Sequence, residues 1–217
     1  CMSGFTRRSL IASAAAPAAL KGALLTADPD PVTPGEKTLV VQPVLMYQIH
    51  KRRPQTSWRP WGGLFTDVEV TEEKQRIGRE LAALAKTANF PVEVLPLRTV
   101  SSLEEAKTQG QGSHDVLLLY PAAGSSQWLD TLAAGQNWAV VFVRHRSGPV
   151  YEYYEIVSPR FLRKTVDEWG EPKISTADVV VDSMDEVAVR LRALSAVKNT
   201  MGRKIVYNTL KNEAIVY

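Results

Sequence analysis

Apolar residues fall along this chain in short unbroken runs, separated by segments that repeat with a helical period. Residues 38–47 (TLVVQPVLMY) read as a buried strand, which Pro43 is expected to shorten or bulge because proline brings no N–H to a ladder. After a polar loop over residues 50–70, Thr71 is expected to cap a helix. Its stripe is Ile77, Leu81, Leu84, Ala85 and Ala88, at i, i+4, i+7, i+8 and i+11. Residues 91–97 form a second strand, and Ser101 with Glu104 resembles a capping box opening a short helix. Residues 115–120 (DVLLLY) and 138–143 (WAVVFV) are apolar without alternation, as parallel strands covered on both faces are. Between them Ser125 or Ser126 caps a helix through Trp128, Leu129 and Leu132 that closes at Gly135.

A fifth short strand is expected at residues 178–181. The last helix starts near Ser183, carries Val187, Leu191, Leu194, Val197 and Met201 as its stripe, and ends at Gly202. Residues 151–173 mix aromatic and charged side chains and give no periodic signal. Strand–helix alternation at these lengths predicts an α/β fold with a doubly wound, mainly parallel sheet. A final strand at residues 204–207 is expected to begin a following unit, of which residues 203–217 read as a truncated start.

Charge changes the picture at the N-terminus. The whole chain of 217 residues carries a formal +3, which raises the question of nucleic acid. Arg7, Arg8 and Lys21 are the only charged residues among the first 27, so the remainder holds 23 basic and 23 acidic side chains. A domain balanced in this way has no global attraction to phosphates, and no nucleic-acid partner is expected. The basic pair in Thr6-Arg7-Arg8-Ser9-Leu10-Ile11, the Ala-rich stretch to Ala27 and the turn Asp28-Pro29-Asp30-Pro31 have the layout of an export signal. Its paired arginines resemble a twin-arginine signal. The expectation is therefore a leader over residues 1–27, a Pro-rich linker over 28–37 and an α/β domain over 38–202. Export to the periplasm or beyond would proceed through transient contact with the twin-arginine machinery. Cys1 stands before Met2, and the single cysteine excludes an intramolecular disulfide framework.

In an open α/β sheet, ligands collect where strands end and loops lead into helices. Three loops qualify. Tyr120-Pro121-Ala122-Ala123-Gly124-Ser125-Ser126 offers small residues and a helix start, so Tyr120, Gly124 and Ser125 are candidate ligand contacts, although a plain connecting loop would look the same. Trp58-Arg59-Pro60-Trp61-Gly62-Gly63 could stack Trp58 and Trp61 on a sugar ring while Arg59 binds its hydroxyls, or could anchor the loop or a subunit contact. His50-Lys51-Arg52-Arg53 just before it reads as a solvated basic turn. Arg144-His145-Arg146 follows the fourth strand; Arg144 is a candidate contact, and His145 between two arginines is expected to hold a proton weakly. His50, His114 and His145 lie at no metal-ligand spacing with one another or a carboxylate. There is no Walker loop, no G-x-G-x-x-G and no G-x-S-x-G, and the post-strand loops lack the Ser/Thr-rich phosphate cradle of a flavin binder. No catalytic set of acid, base and metal can be assembled, so the catalytic residues are unknown and catalysis by this chain alone is not expected.

Asp182-Ser183-Met184-Asp185-Glu186-Val187, Arg190-Leu191-Arg192-Ala193-Leu194 and Lys198-Asn199-Thr200-Met201-Gly202 together resemble a segment of L-fucose/L-arabinose isomerase-like proteins. The Trp58–Gly63 loop and the long helix after it are similar to that group as well. The resemblance spans most of residues 38–210 and implies a flavodoxin-like N-terminal domain of a longer aldose–ketose isomerase. It implies Mn2+ for the full-length enzyme and homo-oligomers, with the metal ligands in later domains that this chain lacks; no cofactor is expected in this chain itself. The function so implied is the N-terminal domain of an exported sugar isomerase-like protein, not catalytic alone. The alternative is a non-catalytic extracytoplasmic sugar-binding or interaction domain.

Overall fold

A computed structural model describes residues 37–50, 62–135, 138–163 and 173–201, and the backbone of two further strands at 206–208 and 214–216. The elements in chain order are β1 (Leu39–Met46), α1 (Asp67–Thr87), β2 (Val92–Val94), β3 (Arg98–Val100), α2 (Leu103–Gln109), β4 (Val116–Pro121), α3 (Ser126–Leu132) and β5 (Trp138–Val143). There follow α4 (Tyr153–Ile156), α5 (Pro159–Arg163), a 3-10 turn (Thr176–Asp178), β6 (Val179–Val181), α6 (Met184–Thr200), β7 (Val206–Asn208) and β8 (Ala214–Val216). The main sheet runs β2-β1-β4-β5-β6, with β3 beside β2 on the same flank of β1, and every pairing in it is parallel. With β2 and β3 counted as one interrupted strand, this is the flavodoxin-like doubly wound order.

Alternation of side chains through the apolar strands divides the core into two layers. Val116, Leu118 and Tyr120 join Val140 and Phe142 under α1 and α6, with Ile77, Leu81, Val187 and Leu191 packed onto them. Leu117 and Leu119 face the opposite way with Val141 and Val143, against Ala106, Leu129, Leu132, Ile156 and Phe161. An unbroken apolar run is thus required here, because both faces of β4 and β5 are covered.

Pro43 does not shorten β1, which continues through it for eight residues. The interruption falls on the neighbouring strand. Leu39 and Tyr47 donate their N–H groups to Pro91 and Val100 on that flank, so alternation places the ring nitrogen of Pro43 on the same side. Opposite it the partner breaks into β2 and β3. The buried Gln42 carboxamide fills the gap, donating to the carbonyls of Pro43 (3.0 Å) and Pro96 (2.9 Å).

Helix α1 begins before Thr71. Thr66 is the N-cap: its side chain accepts from the Glu69 N–H, while the Glu69 carboxylate accepts from the Thr66 N–H. Thr71 lies inside the helix and donates to the Asp67 carbonyl. The cap of α2, by contrast, is one residue later than expected, at Ser102 with Glu105. Residues 151–163, which gave no sequence signal, form the two short helices α4 and α5. At the C-terminal end β7 pairs antiparallel with β8, so the strand expected at 204–207 is one arm of a two-stranded ribbon. Gly202 and the leader fall outside the described residues. Among the described residues, no helix is long and apolar enough to cross a membrane.

Candidate functional site

The chain leaves β1 toward β2 and leaves β4 toward β5, in opposite directions along the sheet, so a crevice is built between the carboxyl ends of β1 and β4. The loop after β4 lies in it. Ala122 and Ala123 are buried and both donate to the Met46 carbonyl at the end of β1 (3.0 and 3.2 Å), which fixes the loop across the strand ends. Gly124 then takes φ +130°, a conformation that side chains disfavour, and a Cβ there would come within 2.8 Å of the Trp128 ring. Ser125 is the N-cap of α3, yet its hydroxyl makes no cap hydrogen bond.

Into this loop comes Glu152, from the segment after β5. Its backbone N–H donates to the Ala122 carbonyl (2.9 Å), and its carboxylate is 3.0 Å from Nε2 of His50, in the segment after β1. The residue is only 6% exposed. Burial raises the Glu152 carboxyl above the usual glutamate range and the nearby Glu155 charge adds to this, while His50 and the Gly124 backbone amide favour the ionised form. Gly63, with φ +100°, passes so close that a Cβ there would sit 2.8 Å from the Glu152 carboxylate. Three post-strand loops therefore converge on one buried carboxylate. His50, expected as part of a solvated turn, is a member of this cluster.

The other expected contacts are distributed differently. Trp58, Arg59 and Trp61 lie outside the described residues. Tyr120 is fully buried under α1; its hydroxyl has no hydrogen-bond partner, and burial raises its proton affinity well above that of a free tyrosine. Arg144 turns inward from the end of β5 and is also fully buried. Its Nε donates to Glu73 (2.5 Å), and its terminal nitrogens donate to both oxygens of Glu80 (3.1 and 2.6 Å). Tyr151 donates to the same Glu73 oxygen (2.6 Å). Burial alone would weaken the guanidinium's hold on its proton, but these two carboxylates keep it firmly charged. With its donors committed to α1, Arg144 holds the post-β5 loop onto the helix and is not presented to the crevice.

The rest of that loop is occupied by the protein itself. The backbone N–H groups of His145, Arg146 and Ser147 converge on the Asp182 carboxylate, and the Ser147 hydroxyl joins them at 2.6 Å. Asp182 adopts φ +58°, which a non-glycine residue accepts only at a cost. Hydrogen bonds from Ser147 and the three amides outweigh its desolvation and hold this carboxyl well below the usual aspartate range. Its folded-state pKa is depressed, so its contribution to stability is present above the unfolded value and is lost as pH falls through the folded one. Asp182→Ala is accordingly expected to lower the urea midpoint at neutral pH and to flatten the acid limb of the stability profile. Identical acid limbs for the two proteins would remove Asp182 from that role.

His145 stands at the exposed rim, edge-on to Tyr153, with the Tyr153 hydroxyl 3.3 Å from Nδ1. His114 precedes β4, at the opposite edge of the sheet, where burial and Arg98 lower its proton affinity. Glu152 escaped the sequence reading because residues 151–173 carry no period. Glu73 left a usable trace: it lies four residues before Ile77 on the buried stripe, where a carboxylate requires a cationic partner. Among the described residues, no group of three or more His, Cys, Asp or Glu side chains is arranged to hold a metal ion. Compared with known proteins, the chain matches no family model, no curated protein and no solved structure.

Proposed function

We propose that this chain is the sugar-binding N-terminal domain of an exported sugar isomerase-like protein, contributing substrate contacts rather than the proton transfer itself. The observation that carries this reading is the convergence of His50, Gly63, Gly124 and Glu152 at the crevice between β1 and β4. A half-buried imidazole and a buried carboxylate acceptor beside the half-buried Gly124 suit a neutral ligand rich in hydroxyl groups. The amides of Ala122 and Ala123 are engaged with Met46 and those of residues 145–147 with Asp182. Resemblance of the Trp58–Gly63 loop and the Asp182–Gly202 segment to L-fucose/L-arabinose isomerase-like proteins names the sugar class. Among the described residues no group of side chains is arranged to hold Mn2+.

Trp128 packs against Gly124 and so reports on the crevice. Titration of the full chain with pentoses and 6-deoxyhexoses is expected to change tryptophan emission saturably, and Glu152→Ala to abolish the change. A flat response to every pentose and hexose would refute the reading.

We propose export through the twin-arginine route for the same protein, on the basis of Arg7, Arg8 and the apolar stretch that follows. Replacing both arginines by lysine is expected to retain the chain inside the cell. Unchanged fractionation of that variant would set the export reading aside.

A further inference from the structure

We infer that the cavity beside the first turns of α1 binds a small aliphatic amine, its ammonium group held by the carboxylates of that helix. Glu69, Glu72, Glu73 and Arg76 fall at i, i+3, i+4 and i+7, so they share one face of α1 and form one wall. Another wall is backbone. The Gly63 N–H donates to the Val150 carbonyl (2.7 Å), which ties the segment entering α1 to the loop after β5. Gly62 lies so close to that loop that a Cβ would stand 2.9 Å from the Tyr151 carbonyl oxygen. The space so enclosed is about 420 Å3, the size of a small-molecule site, and Phe65, Pro149 and Val150 give it apolar surface.

Charge and hydrogen bonding select the occupant. Three carboxylates line the cavity against one guanidinium, that of Arg76. Glu69 is fixed in place by the helix cap, and Glu72 is exposed. Glu73 is 1% exposed; one of its oxygens accepts from Arg144 and Tyr151, while the other, Oε2, has no hydrogen-bond partner. Arg76 Nε stands 3.2 Å from Oε2 without the alignment of a hydrogen bond, and that nitrogen makes none either. A buried oxygen in this state lacks a donor. A hydroxyl would supply the donor and leave the charge unbalanced, whereas an ammonium supplies three donors and a positive charge. The Arg76 side chain is 37% exposed, so it can turn outward as the amine enters and yield its place beside Oε2. The apolar surface then covers the methylene stem.

Titration of the ligand-free full chain with cadaverine at low salt, followed by amide resonances, tests this. Saturable shifts are expected at Gly62, Gly63 and Val150, with Gly124 in the crevice unmoved. Glu72→Gln removes one charge and is expected to weaken binding about three- to tenfold. Arg76→Gln removes the competing cation and is expected to tighten it. A pentanediol of the same length and Mg2+ are each expected to give no saturable shift at these amides. The inference fails if cadaverine gives none, if the diol or Mg2+ matches it, or if either variant binds as wild type does. A lysine peptide that saturates these amides where cadaverine does not would assign the ammonium to a protein side chain and overturn the small-molecule reading. The amides of β4 serve as the check that each variant is folded. Because no sugar is present, failure here leaves the sugar proposal standing, and failure to bind sugar leaves the amine site standing.

Discussion

Replacing Arg144 by methionine is expected to cost about 3–5 kcal/mol of folding stability, the usual penalty when one member of a buried ion pair is removed. The guanidinium is fully buried and bonds Glu73 and both oxygens of Glu80. Without it, Glu73 remains in the interior with the Tyr151 hydroxyl and Arg76 as its neighbours. The penalty comes chiefly from that stranded carboxylate, so Glu73→Gln in the Arg144→Met background is expected to recover part of the loss. Urea denaturation of the single and double variants measures both. A single variant within about 1 kcal/mol of wild type would show that water reaches the cluster and screens it. Arg144→Lys is no substitute, because an ammonium cannot present the planar fork that spans Glu73 and Glu80.

The second large effect is expected at Gly124. An alanine there meets a disfavoured φ of +130° and places its Cβ 2.8 Å from the Trp128 ring. A backbone held in such a region costs about 1–3 kcal/mol, and moving the indole adds to it. Gly124 lies in the loop that the Glu152 N–H holds at the Ala122 carbonyl (2.9 Å), so the substitution is expected to weaken sugar binding together with stability. Thermal unfolding and a sugar titration of Gly124→Ala check the two halves. Wild-type affinity in a destabilised variant would separate the crevice from its loop.

Both effects arise in places where local sequence carries little information. The strands β4 and β5 can be read directly, since two covered faces demand unbroken apolar runs. The long helix is also legible from Ile77 onward, but the pattern puts its start at Thr71. The true cap, Thr66 with Glu69, precedes the apolar stripe and lies inside a loop-like composition. Pro43 was legible as a disturbance but not as to which strand would yield. That depended on the side to which its nitrogen points and on Gln42 being free to bridge to Pro96.

The edge of the sheet that carries the crevice follows from strand–helix alternation alone, so the sequence itself marks the post-strand loops as candidate contacts. Which side chains they present did not follow. Arg144 and Tyr120 stand beside the crevice in sequence but turn into the layer under α1, since each occupies an inward-facing position of its strand. His50 and Glu152 are 102 positions apart and meet only because β1, β4 and β5 are neighbours in the order shown by the sheet. A pairing of that kind is a property of topology, and no local pattern announces it.

The claim that a sugar occupies the crevice between β1 and β4 is tested most directly by its location. Full-length protein titrated with pentoses and 6-deoxyhexoses, followed by amide resonances, is expected to show saturable shifts at Gly63, Gly124 and Glu152, with Gly110 and His114 at the far edge of the sheet unmoved. Saturable shifts confined to that far edge, or none with any of the sugars, would contradict it.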